Sequence, residues 1–339
     1  MPVLTEQEAR ALVARAFARG GVCAEVAEAA ALHLTLTEMM GITTHGLSRV
    51  TSYLGRIAAG GIDAEAVPTI TALAPALLQG DAGAGLGAGV VQMALARTME
   101  AARETGVAAC FLRNATHFGA IAPLGFIAAE QGFASFITAN SAPMLAPPGG
   151  RGVAVGNAPT GIGLPHAGGR HVILDMALSV AARSKLRGAA ERGETIPEAW
   201  ALDAEGRPTT DPRAALKGVL QAIGGRKGAA LAVTLDLMAA GLAGAAMLSD
   251  VGDNHADPSR RPDVGQMILV IDATRLMPPE DFARRLDHAA GIVGAVPPVP
   301  GGAAPRLPGA RAIASLRRAR VMGIDLSAGL LNELELAAG

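Results

Sequence analysis

The order of patterns along this chain, helix at both ends with short strands between, constrains its fold more than any single motif. Thr5 followed by Glu8 is a capping-box pattern, and Ala, Leu, Val and Phe then recur at helical spacing until Gly20-Gly21 stops the run. A second helix is predicted over residues 24–40, and a third within "GITTHGLSRVTSYLGRI", residues 41–57, from Gly46 onward. Residues 68–79, "PTITALAPALLQ", read as extended, and a long amphipathic helix is predicted from Gly89. From residue 107 the texture changes: "VAACFLRN", "FASFITAN", "GVAVGN", "GIGLP" and "HVILDM" are short β-like runs separated by Gly, Pro and Asn turns. "ALDAEGRPTTDP" reads as a hairpin turn leading out of that sheet, residues 213–249 as mostly helical, and "MILVIDA" at 267–273 as a late strand. After "VPPVPGGAAPRLPG" a helical tail runs to Gly339.

Composition excludes several classes of function. Hydrophobic residues make up 50% of the 339 positions but aromatics only 3%, so the core is built by close packing of Ala, Val, Leu and Ile. A net charge of -1 gives no electrostatic footprint for nucleic acid or an anionic membrane. The two cysteines, Cys23 and Cys110, form no CxxC pair, and no HExxH or close His/carboxylate cluster suggests a metal, so none is expected. "MPVLTEQEAR" lacks the apolar stretch of a signal peptide, and a cytoplasmic location is expected. "GAALAVTLDLMAAGLAGAAMLS", residues 228–249, is long enough to span a bilayer, but Asp236 at its centre favours a buried helix instead.

Chemistry concentrates first around the only tyrosine. On a helix, His45, Arg49 and Tyr53 fall within about 80° of one another, while Leu47, Val50, Leu54 and Ile57 occupy a different arc. Histidine exchanges protons near neutral pH, and an arginine fork suits a substrate carboxylate, although the same side chain serves equally as an ion-pair partner. His117 in "RNATHFGA" is a second candidate. "GAGLGA", residues 83–88, matches the GxGxxG/A dinucleotide fingerprint between a strand and a helix, or else is a glycine-lined helix start. "IGGRKGAAL" sets Lys227 among glycines at a helix start, where free N–H groups and an ammonium make an anion site or a plain surface turn. Asn140, Ser141 and Asn157 follow strands in turn-rich segments, and Asp175 ends a strand, where it can cap a helix or approach a ribose.

Taken together, "THGLSRVTSY", "RNATHFGA", "ANSAPMLAPPGG", "GNAPTGIGLP", "LDMALS", "IPEAWALDAEGRPTTDP", "GGRKG" and "PRLPGAR" resemble, in this order and over nearly the whole chain, the malate/L-lactate dehydrogenase family of the second type. Ureidoglycolate dehydrogenase, sulfolactate dehydrogenase and the piperideine/pyrroline-2-carboxylate reductases belong to it. The resemblance implies an α/β, non-Rossmann fold: a largely antiparallel cofactor-binding sheet with surrounding helices and a helical domain formed by both chain ends. Residues 1–75 with 295–339 would form the helical substrate and dimerisation domain. Residues 76–294 would form the cofactor domain, including a mostly helical subdomain at 178–249, and "GAGLGA" would be a decoy.

The same resemblance implies NAD or NADP as cofactor, a small carboxylate substrate and a homodimer. Thr44 and His45 fall where the family has its Ser-His relay and proton donor, His117 matches a second active-site histidine, and Arg49 and Tyr53 would face the substrate. Cofactor contacts would fall on His117, Phe118, Gly119, Ala120, Ile121, Asn140, Ser141, Asp175, Met176, Ala177, Lys227, Pro308, Gly309, Ala310 and Arg311. The chain departs from the pattern at Thr44 for Ser, at "GNAP" for "GTNP", and at Ala229 where an aromatic is common. The expected reaction interconverts a 2-hydroxy acid and a 2-oxo acid. Reduction of a cyclic imine carboxylate is the alternative.

Overall fold

A strand from late in the chain holds the centre of the main sheet. The structure, a computed structural model, describes residues 2–253 and 256–339. Seven strands build the sheet: β1 (Thr69–Ala74), β2 (Leu77–Asp81), β3 (Val107–Ala115), β4 (Phe133–Ala139), β5 (Thr160–Leu164), β6 (Val172–Met176) and β7 (Val264–Asp272). Their spatial order is β1-β2-β3-β7-β4-β5-β6, and five of the six neighbouring pairs are antiparallel. Ile268 on β7 faces Cys110 on one side and Ile137 on the other. Val264 to Ile268 are buried without alternation, the pattern of a strand covered on both faces.

Eleven α-helices surround the sheet among the described residues. The capping box forms as predicted, with Glu8 N–H donating to the Thr5 hydroxyl and Thr5 N–H to the Glu8 carboxylate, and α1 runs Glu6–Arg19. α2 (Ala24–Met39), α3 (Arg49–Ala59), α10 (Ala310–Met322) and α11 (Ala328–Ala338) bury one shared cluster with α1, joining Phe17, Leu34, Leu47 and Tyr53 to Leu316 and Leu334. A two-residue ribbon, Val3–Leu4 against Ile324–Asp325, ties the two ends together. A second cluster lies on the sheet, beneath α4 (Gly87–Thr105) and α5 (Ala122–Glu130). A third, from Leu145 to Leu235, belongs to α6 (Arg183–Arg192), α7 (Pro212–Lys217), α8 (Arg226–Asp236) and their loops.

Four expectations change in detail. "GVAVGN" contributes only an isolated bridge, Val155 to Leu145, because its neighbours turn away to build the third cluster. "PTITALAPALLQ" folds back on itself as the β1–β2 hairpin. A helix absent from the sequence reading, α9 (Pro279–Gly294), follows β7 and is largely exposed, burying only Ala283. The apolar run at 228–249 breaks at Asp236, whose buried carboxylate accepts the Leu248 N–H at 3.0 Å, and a π turn follows at Leu237–Gly241. No helix among the described residues is long and apolar enough to cross a membrane.

The one parallel pair, β2 with β3, is joined by α4, and "GAGLGA" occupies the β2–α4 turn. Four of its six N–H groups are already spoken for. Gly83 donates to Asp81 Oδ1, Ala84 to the Asn114 carbonyl, Gly85 to the Ala82 carbonyl and Gly87 to the Thr116 hydroxyl, all at 2.9–3.0 Å. A Cβ on Gly87 would stand 2.6 Å from the carbonyl oxygens of both Thr116 and His117, so that glycine lets α4 abut the strand end bearing His117. A Cβ on Gly85 would meet the Ala66 carbonyl at 3.0 Å. Gly85→Ala should therefore fold but lose about 1 kcal/mol, the ordinary scale for a mildly crowded substitution, read as a lower urea midpoint with an unchanged slope.

Candidate active site

His45 lies in a turn rather than in the first turn of a helix. The predicted helix starts three residues late, at Arg49, because residues 43–48 are tied down otherwise. The Glu38 carboxylate accepts the Leu47 N–H at 2.9 Å, and the Ser48 hydroxyl donates to the Thr43 carbonyl at 2.7 Å. A Cβ on Gly46 would press within 3.0 Å of the Glu38 backbone. Burial raises the Glu38 pKa, and the Leu47 N–H partly offsets it.

Within this turn the Thr44 hydroxyl lies 2.9 Å from His45 Nδ1, which leaves Nε2 for a ligand. Arg49 Nε donates to the Thr44 carbonyl at 2.6 Å, so its Nη1 and Nη2 groups present a fork suited to a carboxylate. Tyr53 is fully buried, and its hydroxyl lies 2.8 Å from Nδ1 of His117, 64 residues away in sequence. Tyr53, grouped with His45 and Arg49 on a shared helical face, therefore meets His117 instead. The rings of His45 and His117 lie 5.9 Å apart, tilted by 37°. Gly119 adopts φ +101°, and a Cβ there would reach the His45 carbonyl oxygen at 3.1 Å, so glycine lets the 117–120 loop meet the 43–48 turn.

Burial sets the electrostatics of this turn. Burial, and secondarily the charge of Arg49, pushes His45 down to about 4, so its resting form is neutral. Burial also raises Tyr53 above the ordinary phenol range despite the opposing charges of Arg49 and Arg56, and the hydroxyl keeps its proton.

The remaining sequence candidates divide into groups. Phe118, Ala120 and Ile121 are buried behind His117. Asp175 caps α5, the helix before it and not the one after: Oδ2 accepts the Ile121 and Ala122 N–H groups at 2.9 and 2.8 Å, while Oδ1 takes no part in these bonds. Met176 ends β6, Ala177 comes next, and the Pro308 carbonyl accepts the Ile173 N–H on the same strand. Gly309, at φ +82°, starts α10 there, with Ala310 next to it and Arg311 exposed. Asn140 is spent on structure: its amide donates to the Ala246 carbonyl and accepts the Gly265 N–H. The Ser141 hydroxyl bonds Asn157 Oδ1 at 2.9 Å. Lys227 is exposed at the start of α8, after Gly224 and Gly225, both at positive φ. These groups suit a nicotinamide dinucleotide: Asp175 Oδ1 can accept ribose hydroxyls, and the exposed Lys227 ammonium can meet phosphate. Among the described residues no three metal-ligating side chains converge.

The sequence reading passed over the second layer. Glu38 bonds the His45 turn, His33 lies against Gly119, Gln92 bonds His33, and Thr116 next to His117 bonds Gly85 and Gly87. The available signal was a charged or polar residue at a buried helical position, as in "AAALHLTLTEMM".

The profile of the malate/L-lactate dehydrogenase family matches residues 4–335. The chain is 32% identical to the Δ1-pyrroline-2-carboxylate/Δ1-piperideine-2-carboxylate reductase of Pseudomonas syringae pv. tomato, covering 97% of this chain and 94% of that one. It is 34% identical to the (2R)-3-sulfolactate dehydrogenase (NADP+) of Chromohalobacter salexigens, covering 99% and 98%. The crystal structure of the Δ1-piperideine-2-carboxylate reductase of P. syringae pv. tomato superposes with a TM-score of 0.88 at 29% identity, over 99% of this chain and 100% of that one. Sulfolactate dehydrogenase of Methanocaldococcus jannaschii gives 0.88 at 28%, over 99% and 96%. The chain belongs to the malate/L-lactate dehydrogenase family. It is an oxidoreductase of the NAD(P)-dependent class.

The His45 environment makes a direct prediction. Its imidazole should titrate near pH 4 by NMR, and Arg49→Gln should move that titration upward, since it removes a cation that disfavours protonation. A titration near 6.5 in the wild-type protein would show that the pocket is wetter than this geometry requires.

Proposed function

We propose that this enzyme interconverts a small 2-hydroxy acid and its 2-oxo acid, using the turn at Thr44-His45, Arg49 and the Tyr53–His117 pair as its substrate wall. The observation that carries the reading is the His45–His117 pair, 5.9 Å apart, with the Arg49 fork on the same turn. When bound, the nicotinamide supplies or takes up a hydride at C2. Arg49 holds the substrate carboxylate through its fork, which fixes C2 relative to both histidines. His45 exchanges the proton through Nε2, because Thr44 occupies Nδ1. In the oxidising direction its neutral resting form accepts the hydroxyl proton. In the reducing direction a carboxylate on Arg49 cancels one of the two influences that hold its pKa down. The Tyr53 hydroxyl lies 2.8 Å from Nδ1 of His117 and fixes the ring beside His45, which makes His117 the rival proton carrier.

The same wall supports a second reading, reduction of a cyclic imine carboxylate, favoured by the likeness to the P. syringae reductase. There Arg49 again holds the carboxylate, and the substrate nitrogen arrives protonated. Following nicotinamide absorbance with NADH and NADPH against pyruvate, oxaloacetate, sulfopyruvate, oxalurate and cyclic imines separates the two.

Around this site, Phe118, Gly119, Ala120, Ile121, Ser141, Asp175, Met176, Ala177, Lys227 and the Pro308–Arg311 segment would hold the cofactor. Asn140 would act only by shaping that pocket, since both ends of its amide are engaged. The sheet is assigned a non-Rossmann binding mode, supported by the internal use of the N–H groups in "GAGLGA". Gly85→Ala should accordingly bind cofactor as the wild type does. The helices of both chain ends, residues 1–75 with 295–339, are read as a substrate and dimerisation domain against a cofactor domain at 76–294, with a helical subdomain at 178–249. A cytoplasmic homodimer fits this reading, and Val321, Met322 and Leu336, exposed on α10 and α11, are apolar surface such an assembly could cover.

His45→Ala should reduce turnover by roughly 10²- to 10⁴-fold with cofactor binding intact, the usual range for lost general acid–base catalysis. Arg49→Lys should chiefly raise KM for the acid substrate, because the charge remains but the fork is lost. If His117→Ala loses the chemical step while a folded His45→Ala enzyme stays near wild type, the two histidines exchange roles. Lys227→Ala should weaken cofactor binding more than it slows saturated turnover, and an unchanged cofactor Kd would remove Lys227 from the site. Light scattering at micromolar concentration should give a dimer mass.

A further inference from the structure

Beneath the active-site loop lies a third histidine that no step above uses. His33, on α2, is completely buried, and the Gln92 side-chain amide, from α4, donates to its Nδ1 at 3.0 Å. An amide nitrogen only donates, so Nδ1 is the acceptor and the ring proton resides on Nε2. That Nε2 is itself buried and completes no hydrogen bond within normal geometry. It faces the main chain of the 117–120 loop: a Cβ on Gly119 would stand 3.5 Å from it, and the Phe118 ring meets the imidazole edge-on at 6.3 Å. The same Cβ position lies 3.1 Å from the His45 carbonyl oxygen. At Gly119 the His117 loop thus meets both His33 and the His45 turn.

We propose that His33 is a positioning residue: its Nε2–H is stationed under the carbonyls of the 118–120 main chain and sets the bearing of His117 on Tyr53 and His45. A buried donor left without a partner is costly, and it is retained here beside the backbone whose placement the site requires. The carbonyls of Ala120 and Phe118 favour the protonated ring, but burial outweighs them and holds the pKa near 3. His33 therefore stays neutral at any working pH, and it acts as a fixed donor and not as a switch.

The inference rests on the reading of His117 as an active-site residue, and two readouts keep the two apart. The first is kinetic. His33→Leu removes the donor, while His33→Gln places an amide N–H where Nε2 stood. His33→Leu should lower kcat at least tenfold with KM for the acid substrate changed less than twofold, and His33→Gln should restore most of the loss. The second readout needs no turnover: the imidazole signals of His117, assigned with His117→Ala, should shift in His33→Leu and return in His33→Gln. Should His33→Leu not fold, Gln92→Met releases the Nδ1 contact at nearly constant volume and should lower kcat by threefold or more. Wild-type kcat and unmoved His117 signals in the folded variants would overturn the proposal, as would equal losses in the Leu and Gln variants. A wild-type enzyme inactive on every acid and imine would instead overturn the proposed function, leaving the NMR comparison to decide the role of His33.

Discussion

The hydrogen bond between the Tyr53 hydroxyl and Nδ1 of His117 is the point where two separately built parts of the molecule become one site. Tyr53 belongs to a helix whose core is shared by both ends of the chain, and His117 comes just after a strand of the central sheet. Neither part alone can place two histidines 5.9 Å apart. Tyr53 is fully buried, where an unpaired phenol would cost about 1–3 kcal/mol, so the docking of the helices on the sheet and the geometry of the site stabilise each other. The contact between Gly119 and the His45 carbonyl reinforces this by leaving no room for a side chain between the two loops.

That docking depends on small residues more than on large ones. With aromatics at 3%, α4 reaches the sheet through glycines: Gly87 against the Thr116 and His117 carbonyls, and Gly89 against the Val26 carbonyl of α2. The Thr116 hydroxyl works in both directions, donating to the Gly85 carbonyl and accepting the Gly87 N–H. The glycine-rich turn that imitates a phosphate loop therefore serves the protein's own backbone. Its similarity to the dinucleotide fingerprint reflects a shared requirement, close approach of a helix start to something polar, with the end of β3 as the polar partner here.

Local pattern made the helices and most strands legible in the sequence, because capping chemistry and apolar spacing act within a few residues. Thr5 and Glu8 define the start of α1 without reference to anything distant. The grouping of Thr44, His45 and Arg49 was legible for the same reason, since positions four apart stay neighbours even when the helix begins late. Matters of tertiary partnership escaped the sequence. Helical periodicity points Tyr53 toward its own chain neighbours, but its partner lies 64 positions away. Asp175 at a strand end suggests a cap for the next helix, yet it caps α5, which packs back across β6. The central place of β7 is equally invisible, because hydrophobicity reports burial and not order within a sheet.

The electrostatics of the wall carry a consequence for the direction of proton flow. A histidine held near pH 4 by burial and a neighbouring guanidinium is a ready acceptor but a poor reservoir of protons at neutral pH. In the proposed reducing direction the proton would have to become available with substrate present, and Arg49 would supply part of that coupling, burial being the larger influence on His45. The Arg49 charge bears on His45, and a bound carboxylate would neutralise it. Substrate capture would then ease protonation of the acid, through residues four apart on the same turn. Such coupling requires a fixed distance between Arg49 and His45, and the bonds of Thr44 to both residues provide it: the Thr44 carbonyl receives Arg49 Nε while its hydroxyl meets His45 Nδ1. A serine at position 44 could make the same two bonds, and the extra methyl group of threonine restricts the rotamer from which the hydroxyl makes its bond.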